Sequence, residues 1–296
     1  MNGEFNIDAL IPAEMALKAE AVGVKKAGLP FWNLLALAVL AGAFVALGAI
    51  FATSATAGGM ATKLPDGTIA YSTGLTYGLS RMLSGLVFCT ALILIVISGA
   101  ELFTGNNLIV MAFIRGKVCL GQLMRNWTIV YLGNFIGSIL TAGIMLLTRQ
   151  YTFGNGIVGY NALTIAVAKS EFGFVQAIAL GILCNALVCL AVWMTFSART
   201  TADKILAIIP PITAFVTAGF EHSIANMYYI PIALFIKQLD PAFVSAGTPI
   251  KGIEHLTWSN FLVGNLLPVT IGNIIGGAVL VGVVYWFIYL RGTKKQ

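Results

Sequence analysis

Six apolar stretches separated by polar loops run through the chain, near residues 31–53, 79–114, 123–147, 174–196, 205–236 and 260–290. A helix crosses the hydrocarbon core of a bilayer in about 20 residues. The stretch 79–114 would extend ~54 Å as one helix, and 205–236 is likewise too long for a straight span. The pattern predicts that both are broken: the second at Gly99, Gly105, Asn106 and Asn107, the fifth around Pro210-Pro211, Gly219 to Asn226 and Pro231. The first stretch is rich in Ala and Gly, which permits close helix packing. Residues 54–77, 149–173 and 237–257 read as loops. In residues 6–26, Leu10, Met15, Leu17 and Val22 alternate with Glu14, Lys18, Glu20, Lys25 and Lys26. That suits either a short amphipathic helix on the membrane surface or a solvated tail.

The polar interruptions of the two long stretches share a skeleton. Gly99-Ala100-Glu101-Leu102-Phe103-Thr104-Gly105-Asn106 and Gly219-Phe220-Glu221-His222-Ser223-Ile224-Ala225-Asn226 both read Gly-x-Glu-x-x-x-x-Asn, offset by 120 residues. The third and sixth stretches share Gly-Asn-x-Ile-Gly, at Gly133 and Gly272, offset by 139. The order is the same in both halves, so the chain reads as two copies, about 31–148 and 172–290. Each copy has an odd number of spans, which forces opposite orientations and makes an inverted repeat. The expected fold is an all-α polytopic membrane protein of six transmembrane helices in two inverted three-helix repeats, with helices 2 and 5 broken. Residues 1–30 form an N-terminal segment and 291–296 a tail.

Composition agrees. The chain is 58% hydrophobic and 9% charged, against about 25% charged in soluble domains. The charge of +6 is scattered over loops, so no nucleic-acid partner is expected. Six spans put both termini on one side, which holds Lys18, Lys25, Lys26, Arg115, Lys117, Arg125, Arg199, Lys204, Arg291, Lys294 and Lys295. The other side holds Lys63, Arg81, Arg149, Lys169, Lys237 and Lys251. The excess assigns both termini to the cytoplasm. Residues 1–30 lack the order of a cleavable signal. Cys89, Cys119, Cys184 and Cys189 have no ligand spacing and read as small hydrophobes. No metal or cofactor is expected.

Ionisable groups at mid-membrane depth are functional candidates. His222 reads as a proton donor in a permeation path, or alternatively as a core histidine bonded to a backbone carbonyl. Half-helix N-termini meeting at the midplane favour an anion. Glu101 and Glu221 would repel one, so they are expected to accept hydrogen bonds from the broken helix ends. Asn106, Asn185 and Asn226 can donate to an anion or cap freed backbone, and the Thr104 hydroxyl can reach substrate. Lys169 either draws anions into an outer vestibule or snorkels. An intramembrane enzyme would need a nucleophile–base pair or metal set, and His222 has no second histidine on its helix, so no catalytic residue is assigned. A water or polyol channel would carry a pair of Asn-Pro-Ala motifs, which are absent.

These stretches resemble the formate/nitrite transporter family over essentially the whole chain, from Leu10-Ile11-Pro12 to Tyr285-Trp286-Phe287-Ile288-Tyr289-Leu290-Arg291. The most specific pieces are 99–104, Leu187 to Met194, Gly219 to Met227 and Pro268-Val269-Thr270-Ile271-Gly272-Asn273. The resemblance implies an aquaporin-like protomer with its own pore, in a homo-pentamer in the lipid of the bacterial inner membrane. It implies a central His222, a partner threonine at Thr104, an outer Lys169 and a pore asparagine at Asn185. It also implies apolar constrictions at Phe88, Leu92, Leu102, Phe103, Val188 and Phe215. Family substrates are small monovalent anions: formate, nitrite, hydrosulfide, and less efficiently acetate or lactate. One departure is Gly105-Asn106-Asn107, where formate channels often carry Ser and small or β-branched residues.

Overall fold

The computed structural model describes residues 9–58, 60–63, 69–247 and 249–292. Residues 1–8 of the N-terminal segment and 293–296 of the tail lie outside that set. The first helix, α1 (Pro12–Ala27), starts at a proline, and Glu14 accepts from the Ile11 N–H at 3.0 Å. Part of its apolar face packs on protein, while Leu17 stays exposed. Met15, Ala16 and Ala19 are buried in a cluster with Leu108, Met111, Trp193 and Phe196. Glu20, expected on the polar face, is 3% exposed. It is paired with Arg115 at 2.9 Å and Lys117 at 2.6 Å, and a carboxylate is buried so deeply only when paired in this way.

Among the described residues, five helices are long and apolar enough to cross a membrane: α2 (Phe31–Ala55), α3 (Tyr77–Ser98), α6 (Leu120–Leu147), α8 (Phe174–Ser197) and the last helix, Asn260–Tyr289. After α3 come α4 (Phe103–Asn106), a 3₁₀ turn (Asn107–Ile109) and α5 (Val110–Ile114). The fifth apolar stretch forms α9 (Thr201–Thr217) and α10 (Ser223–Leu239), each carrying internal proline. In the last helix, wide π-type turns at Asn260–Leu266 and Ile275–Val283 flank α12 (Leu267–Ile274), before α13 (Val284–Tyr289).

The three expected loops are more ordered than their composition suggests. Within 54–77, two strands, β1 (Met60–Lys63) and β2 (Ile69–Ser72), pair antiparallel with Met60 opposite Ser72. Thr62, Ile69 and Tyr71 favour extended backbone there. Within 149–173 lies α7 (Ile157–Ser170), which buries Ala162, Leu163, Ala166 and Val167 at helical spacing and carries Lys169 in its last turn. Within 237–257, Asp240 caps the short α11 (Pro241–Ala246) through the Phe243 N–H.

The duplicated Gly-Asn-x-Ile-Gly sets the helix spacing. A Cβ on Gly137 of α6 would fall into the Val39 carbonyl of α2, and one on Gly276 would fall into the Ile182 carbonyl of α8. Only glycine allows these backbones so close. Leu132, Leu140, Ile144 and Leu147 of α6 point outward, an apolar surface suited to lipid.

Candidate functional site

Both breaks are built alike. At the first, Gly99 takes a left-handed φ of +79°, which ends α3 at no steric cost. The Gly99 and Ala100 N–H groups both donate to the Ile95 carbonyl at 3.0 Å. Glu101 then donates from its backbone to Leu37 at 3.1 Å. Asn134 clamps the extended chain: its amide donates to the Glu101 carbonyl at 3.0 Å and its oxygen accepts from the Phe103 N–H at 2.9 Å. At the second, Gly219 has φ +77° and Glu221 donates to Leu180 at 3.3 Å. Asn273 donates to the Glu221 carbonyl at 2.9 Å and accepts from the Ser223 N–H at 2.9 Å. The asparagine of the second duplicated motif thus holds the break made by the first, which satisfies backbone that has left its helix.

The two glutamates are bound by side chains, not by the backbone of the helix ends. Glu101 contacts Lys26 of α1 at 2.9 Å and the Asn106 amide at 2.7 Å. Glu221 contacts Lys169 of α7 at 2.7 Å and the Asn226 amide at 2.7 Å. Each asparagine also donates to a third one, Asn126 at 2.9 Å or Asn265 at 2.8 Å. That residue in turn donates to the carbonyl of the same lysine, at 3.0 Å from Asn126 and 2.8 Å from Asn265. Lys26, Asn126 and Asn265 are not among the residues singled out from sequence. A signal for two of them exists: Asn126 and Asn265 each precede their Gly-Asn motif by the same spacing. The copies differ in one bond. Lys26 also donates to Asn106 Oδ1 at 2.9 Å, whereas Asn226 Oδ1 is buried without a partner and Lys169 stands 5.3 Å over the Tyr229 ring.

Two cavities open toward these lysines. One, about 500 Å³, is lined by Lys18, Lys26, Glu101, Leu102, Asn106 and Lys204 among others. The other, about 600 Å³, is lined by Arg81, Phe88, Lys169, Phe215, Glu221 and His222 among others. In the first, Lys18 is held below the usual lysine range, first by burial and then by Lys204 and Arg199. Leu102 and Gly105 border one cavity and His222 the other, and Thr104, wholly buried, bonds His222 between them.

His222 Nε2 lies 3.0 Å from Thr104 Oγ1. Its Nδ1 accepts from the Ala225 N–H at 3.1 Å, capping α10. An accepting Nδ1 assigns the proton of the neutral ring to Nε2. Nε2–H therefore donates to Thr104, whose own hydroxyl proton is left to point elsewhere. The Phe215 ring stacks 6.0 Å from the imidazole, and Phe88 meets Phe215 edge-on at 5.9 Å. Leu92, Phe103 and Val188 are buried but line neither cavity; Phe103 packs on Tyr131 at 4.9 Å. Asn185 also lines neither. Its amide donates to the carbonyls of Thr104 at 3.2 Å and Asn273 at 2.7 Å, and to Asn107 Oδ1 at 3.3 Å. It fixes the backbone of Thr104 from behind. Among the described residues, no three His, Cys, Asp or Glu side chains could share a metal.

Comparison with known proteins fits this geometry. The formate/nitrite transporter family model matches residues 13–287. The formate channel FocA of Escherichia coli strain K12 is 43% identical over 293 residues, covering 98% of each chain. The formate channel FocA of Haemophilus influenzae is 38% identical, covering 95% of each. A solved pentameric formate channel with formate bound superposes with a TM-score of 0.79 at 45% identity, over 88% of this chain and 98% of that one.

Proposed function

The chain belongs to the formate/nitrite transporter family and is a multi-pass membrane protein, and on that premise we propose that it is a formate channel with its narrowest polar point at Thr104 and His222. The observation that carries this reading is the Thr104–His222 hydrogen bond between two lysine-bearing cavities. A carboxylate entering either cavity meets a positive field, which raises its local concentration. At Phe88 and Phe215, or at Leu102, it loses water that apolar walls cannot replace. The Thr104 hydroxyl, oriented by His222, then donates to it. Desolvation raises the pKa of formate, so the anion takes up a proton more readily there. Nitrite and hydrosulfide share its charge and small size and are expected to compete; acetate and lactate pass less readily. The test is proteoliposome flux of formate against nitrite, hydrosulfide and lactate at two pH values, with glycerol swelling as control. Glycerol entry without formate flux would refute the reading.

The basic excess supports cytoplasmic termini, which makes the Lys26 cavity the inner vestibule and the Lys169 cavity the outer one, in the inner membrane of a bacterium. The pentameric relative supports a homo-pentamer. Native mass spectrometry in mild detergent should then find five copies; a stable monomer would count against it. For the lysines, Lys169→Ala should lower formate uptake about tenfold at low ionic strength, the lower end of what focused charge contributes. Lys169→Arg should keep most of it, and added salt should narrow the gap. Because the alanine variant also strips Glu221 of its partner, Lys169→Met with Glu221→Gln is the control. Uptake retained in both variants would leave Lys169 a structural role alone.

A further inference from the structure

The Lys169 cavity holds a second cation that this mechanism does not use. Arg81 lies in the second turn of α3 and lines that cavity. Its Nη2 donates to the Val216 carbonyl near the C-terminus of α9, while its Nε is buried with no partner. Val216 adjoins Phe215, and its carbonyl also receives the Gly219 N–H at 3.1 Å, so the guanidinium grips the last turn before the second break. Along α3, the residues one and two turns further on face the same helix. A Cβ on Gly85 would come 2.7 Å from the Thr213 carbonyl oxygen, and Cys89 Sγ lies 3.4 Å from Thr213 Oγ1 and 3.5 Å from the Ile209 carbonyl. Arg81 is thus the end clamp of the α3–α9 seam. The seam also carries the two rings of the outer constriction, Phe88 and Phe215.

We infer that Arg81 is the positioning residue of the outer constriction: by holding the Val216 carbonyl it keeps Phe215 over His222 and sets the width that discriminates formate from larger carboxylates. A helix C-terminus leaves carbonyls unpaired and partly negative. Those of α9 border the cavity an anion must cross, through Val216 and Ala218. A cation there satisfies one carbonyl and offsets the field of the rest. Arginine suits the place because its rigid fork gives a fixed direction. The inverted repeat supplies a contrast: Val96, which matches Val216 at the 120-residue offset, borders the other cavity, whose cations are lysines.

This inference rests on the anion-channel reading, so the experiment has one arm that needs no substrate. Arg81→Lys, Arg81→Gln and Arg81→Met are compared with wild type as assembled channels. In proteoliposomes, the ratio of acetate to formate flux should rise about tenfold in Arg81→Met, the worth of one charge-assisted hydrogen bond. It should rise only slightly in Arg81→Lys, which keeps the charge and a donor without the fork, and more, still short of Arg81→Met, in Arg81→Gln, which keeps a donor without the charge. In detergent, amide exchange over residues 215–222 should quicken in the same order. An unchanged ratio and unchanged exchange in Arg81→Met would overturn the inference. So would an equal fall of every anion in Arg81→Gln and Arg81→Met that Arg81→Lys and high salt erase, since that is attraction without positioning. If Arg81→Met does not assemble, Arg81→Gln carries both comparisons. If wild type passes no formate, the channel reading falls and the exchange arm still decides whether Arg81 holds the break.

Discussion

His222→Phe is expected to lower formate flux about hundredfold, the loss of donor capacity at a buried site. His222→Asn is expected to conduct, with a flatter response to pH. The geometry separates the two. Phenylalanine removes the Nδ1 acceptor that caps α10 and the Nε2 donor that orients Thr104. Asparagine is a good cap, so the start of α10 survives and Thr104 stays close to its place. What asparagine lacks is a second protonation state. Protonating His222 would set an N–H against the Ala225 N–H and break the cap, so acid acts on wild type through this ring in a way the variant cannot copy. Formate flux against pH in both proteins is the measurement. Curves of the same shape would make His222 a structural cap and remove any proton role.

Glu221→Leu is expected to destabilise the channel by about 3–5 kcal/mol, the usual result of stripping one partner from a buried ion pair. Its carboxylate holds Lys169 on one oxygen and Asn226 on the other, and Asn226 already has an unpaired buried oxygen. Glu101→Leu should cost less: the Lys26 side chain is 27% exposed against 16% for Lys169, so it finds water once unpaired. Glu221→Gln keeps an acceptor for Asn226 and should fall between wild type and leucine. Thermal unfolding in detergent ranks the variants. Equal midpoints for Glu221→Leu and Glu101→Leu would show that burial does not set the cost.

Much of this architecture was readable from spacing. The excess length of 79–114 called for a break, because no span needs so many residues; of the residues expected there, Gly99 makes the turn, while Gly105 and Asn106 lie in α4 and Asn107 opens the 3₁₀ turn. The same skeleton at Gly219 located the second. Helix α7 was not readable as a helix: residues 157–170 are too few to cross a bilayer, and they sat between polar loop residues. Lys26 was missed for a different reason. Its partner Glu101 lies 75 residues away, and nothing in a single chain shows that a tail lysine returns to a break. For Asn185 and Asn226 two roles stood open, donation to an anion or support of backbone. The structure places both amides on protein acceptors, because a wholly buried asparagine must use its donors.

The fastening of α1 sets an order of events in synthesis. Lys18 donates to the Phe196 carbonyl at 2.8 Å. Glu20 is held by Arg115 and Lys117, and Arg115 in turn donates to the Leu290 carbonyl at 3.1 Å. Helix α1 is therefore joined to residue 290 through Arg115, and that indirect tie exists only once the last helix has been made. The contacts of Lys26 with Glu101 and Asn106 need no part of the last helix and can form before it. A chain truncated before Leu290 would keep the Glu20–Arg115 pair and lose the carbonyl to which that guanidinium donates, so the end of the last helix is the finishing fastener of α1.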